Sequence, residues 1–103
     1  MQPMLPEPRA SERGVAVLRL LVRNHPGTMS HICGLFARRA FNVEGILCVP
    51  VGDRTQSAIL LMVGEDQRLE QLVRQLRKLE DVVEIHREPA GHAAFAAVAR
   101  HLL

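Results

Sequence analysis

The chain has 103 residues, with 13 Lys and Arg against 11 Asp and Glu and a formal net charge of +2. This length favours a single domain with one modest core. The excess of positive charge is too small to indicate nucleic-acid binding. Aromatic residues make up only 3% of the chain, so we expect an aliphatic core, which buries little area per side chain and favours packing against a partner.

The cysteine content and the first residues of the chain indicate in which cellular compartment the protein is expected. Cys33 and Cys48 lie far apart in the sequence, which predicts reduced thiols that pack as small buried apolar groups in a cytoplasmic protein. Residues 1–13 are polar and rich in proline, without the apolar core of a signal peptide, and are interpreted as a flexible lead-in. No apolar run approaches the roughly 20 residues that cross a bilayer, so no membrane association is expected.

The first half of the chain predicts a strand, a turn and a helix. Residues 15–23 are almost all apolar and rich in β-branched side chains, which indicates a strand near the centre of a sheet. The motif Asn-His-Pro-Gly at 24–27 ends that strand. Apolar residues at helical spacing then predict a helix of about three turns. These residues are Met29, Ile32, Cys33, Phe36, Ala37 and Ala40.

The second half predicts two strands, a helix and a further strand. Residues 43–51 form the second strand, in which Pro50 is tolerated only at a sheet edge or at the strand's end, and a turn at 52–54 follows. Residues 58–63 are apolar on both faces and predict a central strand. The acidic segment 64–66 opens the second helix, and 82–86 form the last strand. One face of the second strand is assigned Val43, Leu47, Val49 and Val51, and the second helix is assigned Leu69, Leu72, Val73, Leu76 and Leu79.

This order of elements predicts an α+β fold. Strand, helix, strand, strand, helix, strand is the ferredoxin-like βαββαβ sandwich, an antiparallel four-stranded sheet with two helices on one face. We assign this domain to residues 14–89. Residues 90–103 form a C-terminal tail with a helical apolar stripe at Phe95, Val98, Ala99 and Leu102. The tail is either a frayed terminus or a helix that docks on a partner.

The sequence lacks the residues that several kinds of binding site and catalytic site require. An RNA-binding module of this topology stacks bases on aromatic side chains of its central strands, and these strands carry none. The cysteines are unpaired and the five histidines lack the spacing of metal ligands, so no metal site is expected. The sequence offers no glycine-rich phosphate loop and no arguable pair of nucleophile and base. We therefore predict no catalytic residues.

The turn before the first helix is the best candidate for a binding site. A helix N-terminus offers unpaired N–H groups and a partial positive charge to a carboxylate, and Gly27 lets a ligand approach the backbone closely. The amide of Asn24 can accept from an ammonium group or donate to a carboxylate. These groups suit a free α-amino acid, although the same motif also serves as an ordinary turn between a strand and a helix.

A resemblance to a known family narrows the choice. The segments that carry it are RNHPG at 23–27 and HICGLFARRAFNVEGILC at 31–48, with weaker support at 66–71 and 79–83. They resemble ACT domains and, more narrowly, the small regulatory subunit of acetohydroxyacid synthase (acetolactate synthase) of the isozyme I type. The resemblance covers roughly residues 15–88. Other family members carry a second C-terminal domain, and a chain that ends at Leu103 is expected for the short type.

The resemblance implies a regulatory role. Such subunits bind a branched-chain amino acid, usually valine, activate the large catalytic subunit and confer end-product feedback inhibition on it. They are not enzymes themselves, and thiamine diphosphate, magnesium and FAD are expected on the large subunit, with no cofactor in this chain. The alternative is a stand-alone ACT-type amino-acid sensor that acts on another enzyme, a transporter or a transcription factor.

The motif match also implies ligand-contacting positions, and topology predicts how they meet. Asn24 ends the first strand and Asn42 begins the second, with a helix between them that is about 20 Å long at 1.5 Å per residue. One amino acid cannot span that distance, so a two-fold homodimer is expected to bring Asn42 of one chain to Asn24 of the other. The predicted ligand-binding residues are Asn24, His25, Pro26, Gly27, Thr28, Met29, Asn42 and Val43.

Overall fold

A computed structural model describes residues 14–88 and 93–103 of the chain. The predicted order of strands and helices is confirmed, and one further helix follows it. The predicted lead-in at 1–13 and residues 89–92 lie outside the described part. The elements are β1 (Val15–Arg23), α1 (Thr28–Arg38), β2 (Val43–Val51), β3 (Gln56–Gly64), α2 (Leu69–Arg77), β4 (Val82–Glu88) and α3 (Ala93–Leu102).

The four strands form one antiparallel sheet in the order β2-β3-β1-β4. β1 and β3 are central, as their apolar sequences predicted, because a strand with neighbours on both edges buries most of its side chains. β2 lies at one edge of the sheet, where Pro50 costs no hydrogen bond on the free side. The predicted α+β sandwich is therefore confirmed, and its two edge strands, β2 and β4, lie at opposite ends of the sheet.

The core lies between one face of the sheet and the helices α1 and α2. Alternate residues of β1 and β3 point into it. Each helix contributes an apolar stripe, because apolar residues recur at helical spacing on the face that a helix buries. Each fully buried Leu or Ile contributes about 1.5–3 kcal/mol relative to an exposed one. The buried residues of this core cluster are Ala16, Leu18, Leu20, Val22, Ile32, Leu35, Phe36, Phe41, Ile59, Leu61, Val63, Leu69, Leu72, Val73, Leu76 and Ile85.

The predicted apolar stripe of α1 was wrong in part. Ile32 and Phe36 are buried as expected, but Leu35 takes the place that Cys33 was assigned, and Cys33 is only half-buried. Ala37 and Ala40 are exposed. Ala37 lies within α1 on its exposed side, whereas Ala40 lies beyond the end of α1 at Arg38 and has a φ of 56° in the corner that follows.

The predicted face of β2 was also wrong in part, because a β-bulge interrupts the strand. Val43 pairs with Val63 and Gly45 pairs with Met62, so the register shifts at Glu44. A bulge moves the following residues to the opposite face. Val43 therefore packs against the core, while the register places Leu47, Val49 and Val51 on the sheet face opposite to α1 and α2.

Cys48 corrects the expectation that both cysteines are buried. It lies in β2 and is exposed, because an edge strand has a neighbour on one side only. Ile46 and Val49 of the same strand are 40% and 55% exposed. β2 thus presents apolar side chains on both of its faces, together with an open backbone edge.

The predicted second helix begins and ends at other residues than expected. α2 begins at Leu69, after a turn in which the Asp66 carboxylate accepts from the backbone N–H of Arg68 at 2.7 Å. It ends at Arg77, so Leu79 lies beyond the helix and is only partly buried. The acidic residue before the helix therefore caps a preceding turn, which the sequence spacing alone did not distinguish from the first helical turn.

Within the C-terminal tail, residues Ala93–Leu102 form the helix α3, while docking on a partner stays a prediction. The Phe95 ring of α3 packs against β2 at Gly45, which has no side chain. A Cβ at position 45 would lie 2.8 Å from the Phe95 Cε1 atom. A side chain at position 45 would therefore force the Phe95 ring to move. Val98 and Leu102 of α3 are 38% and 77% exposed. Among the described residues, no helix is long and apolar enough to span a bilayer.

Candidate functional site

The turn between β1 and α1 forms an open cradle at the helix N-terminus. Gly27 is the residue before α1, with φ 87° and ψ −9°, a left-handed conformation that glycine adopts without strain. No side chain caps the helix, and a Cβ at position 27 would meet no atom within 4 Å. The cradle can therefore receive a carboxylate at the N–H groups of the first helical turn.

Asn24 stands beside this cradle and joins it to the turn after β2. Its backbone N–H donates to the Thr55 carbonyl at 2.9 Å, and its side-chain Nδ2 donates to the Arg54 carbonyl at 3.1 Å. The side-chain oxygen of Asn24 is thereby left as an acceptor in the orientation that these two bonds determine. The Asp53 carboxylate accepts from both the N–H and the hydroxyl of Thr55, which lowers the pKa of Asp53 and holds the turn in place.

Asp81 is a functional candidate that the sequence reading missed. One of its carboxylate oxygens lies 2.9 Å from Nδ1 of His25, and the other accepts from the Thr28 hydroxyl at 3.2 Å. Its backbone carbonyl accepts from the Arg23 N–H at 2.8 Å. Asp81 therefore links the cradle to the start of β4. Thr28 and Asp81 are 53 residues apart in sequence, so no local sequence pattern predicts their contact.

For the valine site that the resemblance implies, we expect Asp81→Asn to weaken binding about threefold to tenfold, as the loss of one charge-assisted hydrogen bond to the loop implies. The fold should persist, because Asp81 is only half-buried. Calorimetric titration with valine measures the affinity. Glu80→Gln, at the neighbouring exposed carboxylate, is the matched control and should bind valine as the unmodified chain does. Equal affinity for both variants would contradict a positioning role for Asp81.

A second cluster of predicted residues lies at the corner between α1 and β2. Asn42 is exposed there, next to the buried ring of Phe41, which meets Phe36 edge-on at a centroid distance of 5.9 Å. The Arg68 guanidinium stacks over the Phe41 ring at 4.6 Å and donates to the Arg39 carbonyl at 2.7 Å.

Arg68 is held in that position by a carboxylate. Asp66 accepts from its Nε and Nη2 atoms at 3.0 and 2.8 Å. These hydrogen bonds lower the pKa of Asp66 to about 2, so the pair stays ionised through the physiological range. Arg68 thus links the corner that presents Asn42 to the residues before α2.

The structure separates the predicted site residues into two groups. The first group, 24–29, forms the cradle, in which Thr28 is buried against Asp81 and Met29 packs on the core. The second group, Asn42 and Val43, lies at the start of β2, whereas Asn24 contacts the turn after its end. β2 has nine residues, so about 26 Å separates the two groups at 3.3 Å per residue. His25, Pro26 and Gly27 are exposed.

Comparison with known families gives one match over most of the chain. The family model described as "AHAS small subunit-like ACT domain" matches residues 18–84. That range includes both groups of candidate residues and the missed Asp81.

Individual relatives agree with that match. The chain is 58% identical over 83 residues to the acetolactate synthase isozyme 1 small subunit of Escherichia coli, covering 81% of this chain and 86% of the relative. It is 41% identical over 70 residues to the acetolactate synthase small subunit of Haemophilus influenzae, covering 67% and 43%. The crystal structure of the acetolactate synthase small subunit from Thermotoga maritima superposes with a TM-score of 0.66 at 33% identity, covering 75% of this chain and 49% of that one.

Proposed function

This chain belongs to the AHAS small subunit-like ACT domain family, and we propose that it regulates an acetohydroxyacid synthase in response to valine. It binds the large catalytic subunit, raises its activity and confers feedback inhibition, without catalysing the reaction itself. Thiamine diphosphate, magnesium and FAD belong to the large subunit in this proposal. The observation that carries it is the 58% identity across 86% of a curated small subunit, together with an open helix N-terminus beside Asn24.

The effector site is shared between two copies of the chain. β2 is an edge strand with exposed apolar side chains, which is a surface that a second strand can pair with. If two β2 strands pair antiparallel about a two-fold axis, the start of one lies beside the end of the other. Asn42 of one protomer then meets the turn at 52–55 of its partner, and Asn24 is hydrogen-bonded to that turn.

Each group in the shared site has a chemical role toward a zwitterion. The N–H groups at the start of α1 bind the α-carboxylate, which complements the helix dipole. The side-chain oxygen of Asn24 accepts from the α-ammonium group, since its Nδ2 is already bonded to Arg54. Asn42 of the other protomer closes the site and supplies a further hydrogen bond. The open space above Gly27 leaves room for the ligand.

The alternative of a stand-alone sensor is separated from this proposal by two measurements on the full chain. Affinity purification with the large subunit from the same genome should recover a stable complex, and calorimetry on the isolated chain should show valine binding. Valine binding without a complex would favour a sensor that acts on another target. A complex without valine binding would contradict the effector site.

A further inference from the structure

A continuous groove runs between α2 and the outer edge of β4, at the end of the sheet opposite to β2. One part has a volume of about 360 Å³ and the other about 480 Å³. Both parts are lined by Arg77, Ile85 and His86. Within residues 14–88 and 93–103, no strand pairs with the outer edge of β4. The groove therefore combines a cavity with an open row of backbone donors and acceptors.

The walls of the groove carry uncompensated positive charge. Arg74 and Arg77 are exposed and lie three residues apart on one face of α2, where their side chains are neighbours. Neither guanidinium has an ion pair or a hydrogen bond within the described part of the chain. Between them and β4, the floor is apolar, formed by Val73 and Ile85, which are 7% and 5% exposed.

The acidic residues nearby leave these two cations unpaired. Both oxygens of Glu65 accept from Arg87 at 2.8 Å, and Glu84 lies 3.4 Å from His86. Glu70 also lines the groove, one turn before Arg74, but it makes no ion pair with it. Three arginines, Arg74, Arg77 and Arg87, line the groove against two carboxylates, Glu70 and Glu84, so the lining carries an excess of one positive charge.

We propose that this groove binds an extended acidic segment of the large catalytic subunit, which adds to the sheet beside β4. The inference depends on the regulatory role proposed above. In a dimer joined through its β2 edges, the two β4 edges are the outermost strands and stay free for one large subunit each. β4 has seven residues, which span about 23 Å at 3.3 Å per residue, enough for a partner strand of about six residues.

Each part of the groove recognises a different part of that segment. The β4 edge pairs with its backbone, as in other cases of strand addition. The apolar floor takes one side chain, while Arg74 and Arg77 pair with acidic side chains on the same face of the segment. Strand pairing sets the orientation of the segment, and the charges select an acidic sequence over a basic one.

The test is a double charge reversal, Arg74→Glu with Arg77→Glu, in the full chain. Affinity for the large subunit, measured by biolayer interferometry at low salt, should fall by roughly tenfold or more, and the difference should shrink as salt screens the charges. The control is Arg38→Glu with Arg100→Glu, which makes the same change in net charge at exposed cations on α1 and α3. It should bind the large subunit like the unmodified chain.

Valine binding by both variants verifies that the fold and the effector site persist. If the Arg74 and Arg77 variant binds the large subunit as tightly as the control does, the groove is not the docking surface, while the proposed function stands. If the unmodified chain itself fails to bind the large subunit, both proposals are wrong.

A photo-crosslinking residue at Val83 identifies the bound segment. Val83 lies within the bulge of β4 and is 43% exposed. Mass spectrometry of the crosslinked large subunit should recover a peptide with several acidic residues, and recovery of a peptide without acidic residues would overturn the inference.

Discussion

Gly27→Asp is expected to remove valine inhibition of the reconstituted enzyme while leaving activation of the large subunit intact. The substituted carboxylate would stand at the helix N-terminus, where the proposed site binds the α-carboxylate of valine, and would occupy the anion cradle itself. Repulsion between like charges in a closed site costs several kcal/mol, so the valine concentration for half-inhibition should rise more than about a hundredfold. Aspartate is among the residues that tolerate a positive φ, and a Cβ at this position meets no atom within 4 Å.

Gly27→Asn separates the effect of charge from that of size. Asparagine has nearly the same volume, also tolerates the left-handed conformation and carries no charge. It should weaken inhibition less than aspartate does. Inhibition curves on the reconstituted enzyme measure both variants. A Gly27→Asp enzyme that is still inhibited by millimolar valine would place the ligand carboxylate elsewhere.

A mixture of Asn24→Ala and Asn42→Ala chains is expected to recover tight valine sites that neither variant has alone. Each substitution should weaken binding on the order of tenfold to a hundredfold, as the loss of a hydrogen bond to a charged group implies. In a mixed dimer with shared sites, one site carries both substitutions and the other carries none. Random exchange of subunits makes about half of the dimers mixed, so about a quarter of all sites should bind normally.

Calorimetry after verified subunit exchange measures this fraction. The two unmixed variants provide the baseline, because every site in them carries one substitution. A site within one protomer predicts no tight fraction at any mixing ratio. The measurement therefore distinguishes a shared site from a local one without depending on the register of the two β2 strands.

Most of the fold could be predicted from the sequence, because the hydrophobic periods are clear in it. The seven apolar residues among the nine of 15–23 indicated a central strand, and Pro50 indicated an edge. What the sequence did not reveal was the bulge at Glu44, which moves Leu47 to the opposite face of the sheet. A bulge depends on the pairing between two strands, and a single strand's pattern contains no information about it.

Only the local part of the candidate site could be predicted from the sequence. Asn24 and Gly27 lie in one short motif, whose turn and helix start follow from Pro and Gly chemistry. Asp81 and Arg68 were missed because each acts on a segment that is distant in sequence, Asp81 on the cradle and Arg68 on the corner beside Asn42. Such long-range pairs follow from the packing of the two helices on the sheet, which becomes evident only in three dimensions.

The most direct test of the central claim is the activity of the large catalytic subunit, purified alone and then assayed with increasing amounts of this chain, with and without valine. A regulatory subunit predicts that activity rises to a plateau as the chain is added. It also predicts that millimolar valine inhibits the complex strongly but leaves the isolated large subunit unaffected. Activity that does not change on addition of the chain, or a complex that is no more sensitive to valine than the large subunit alone, would contradict the account.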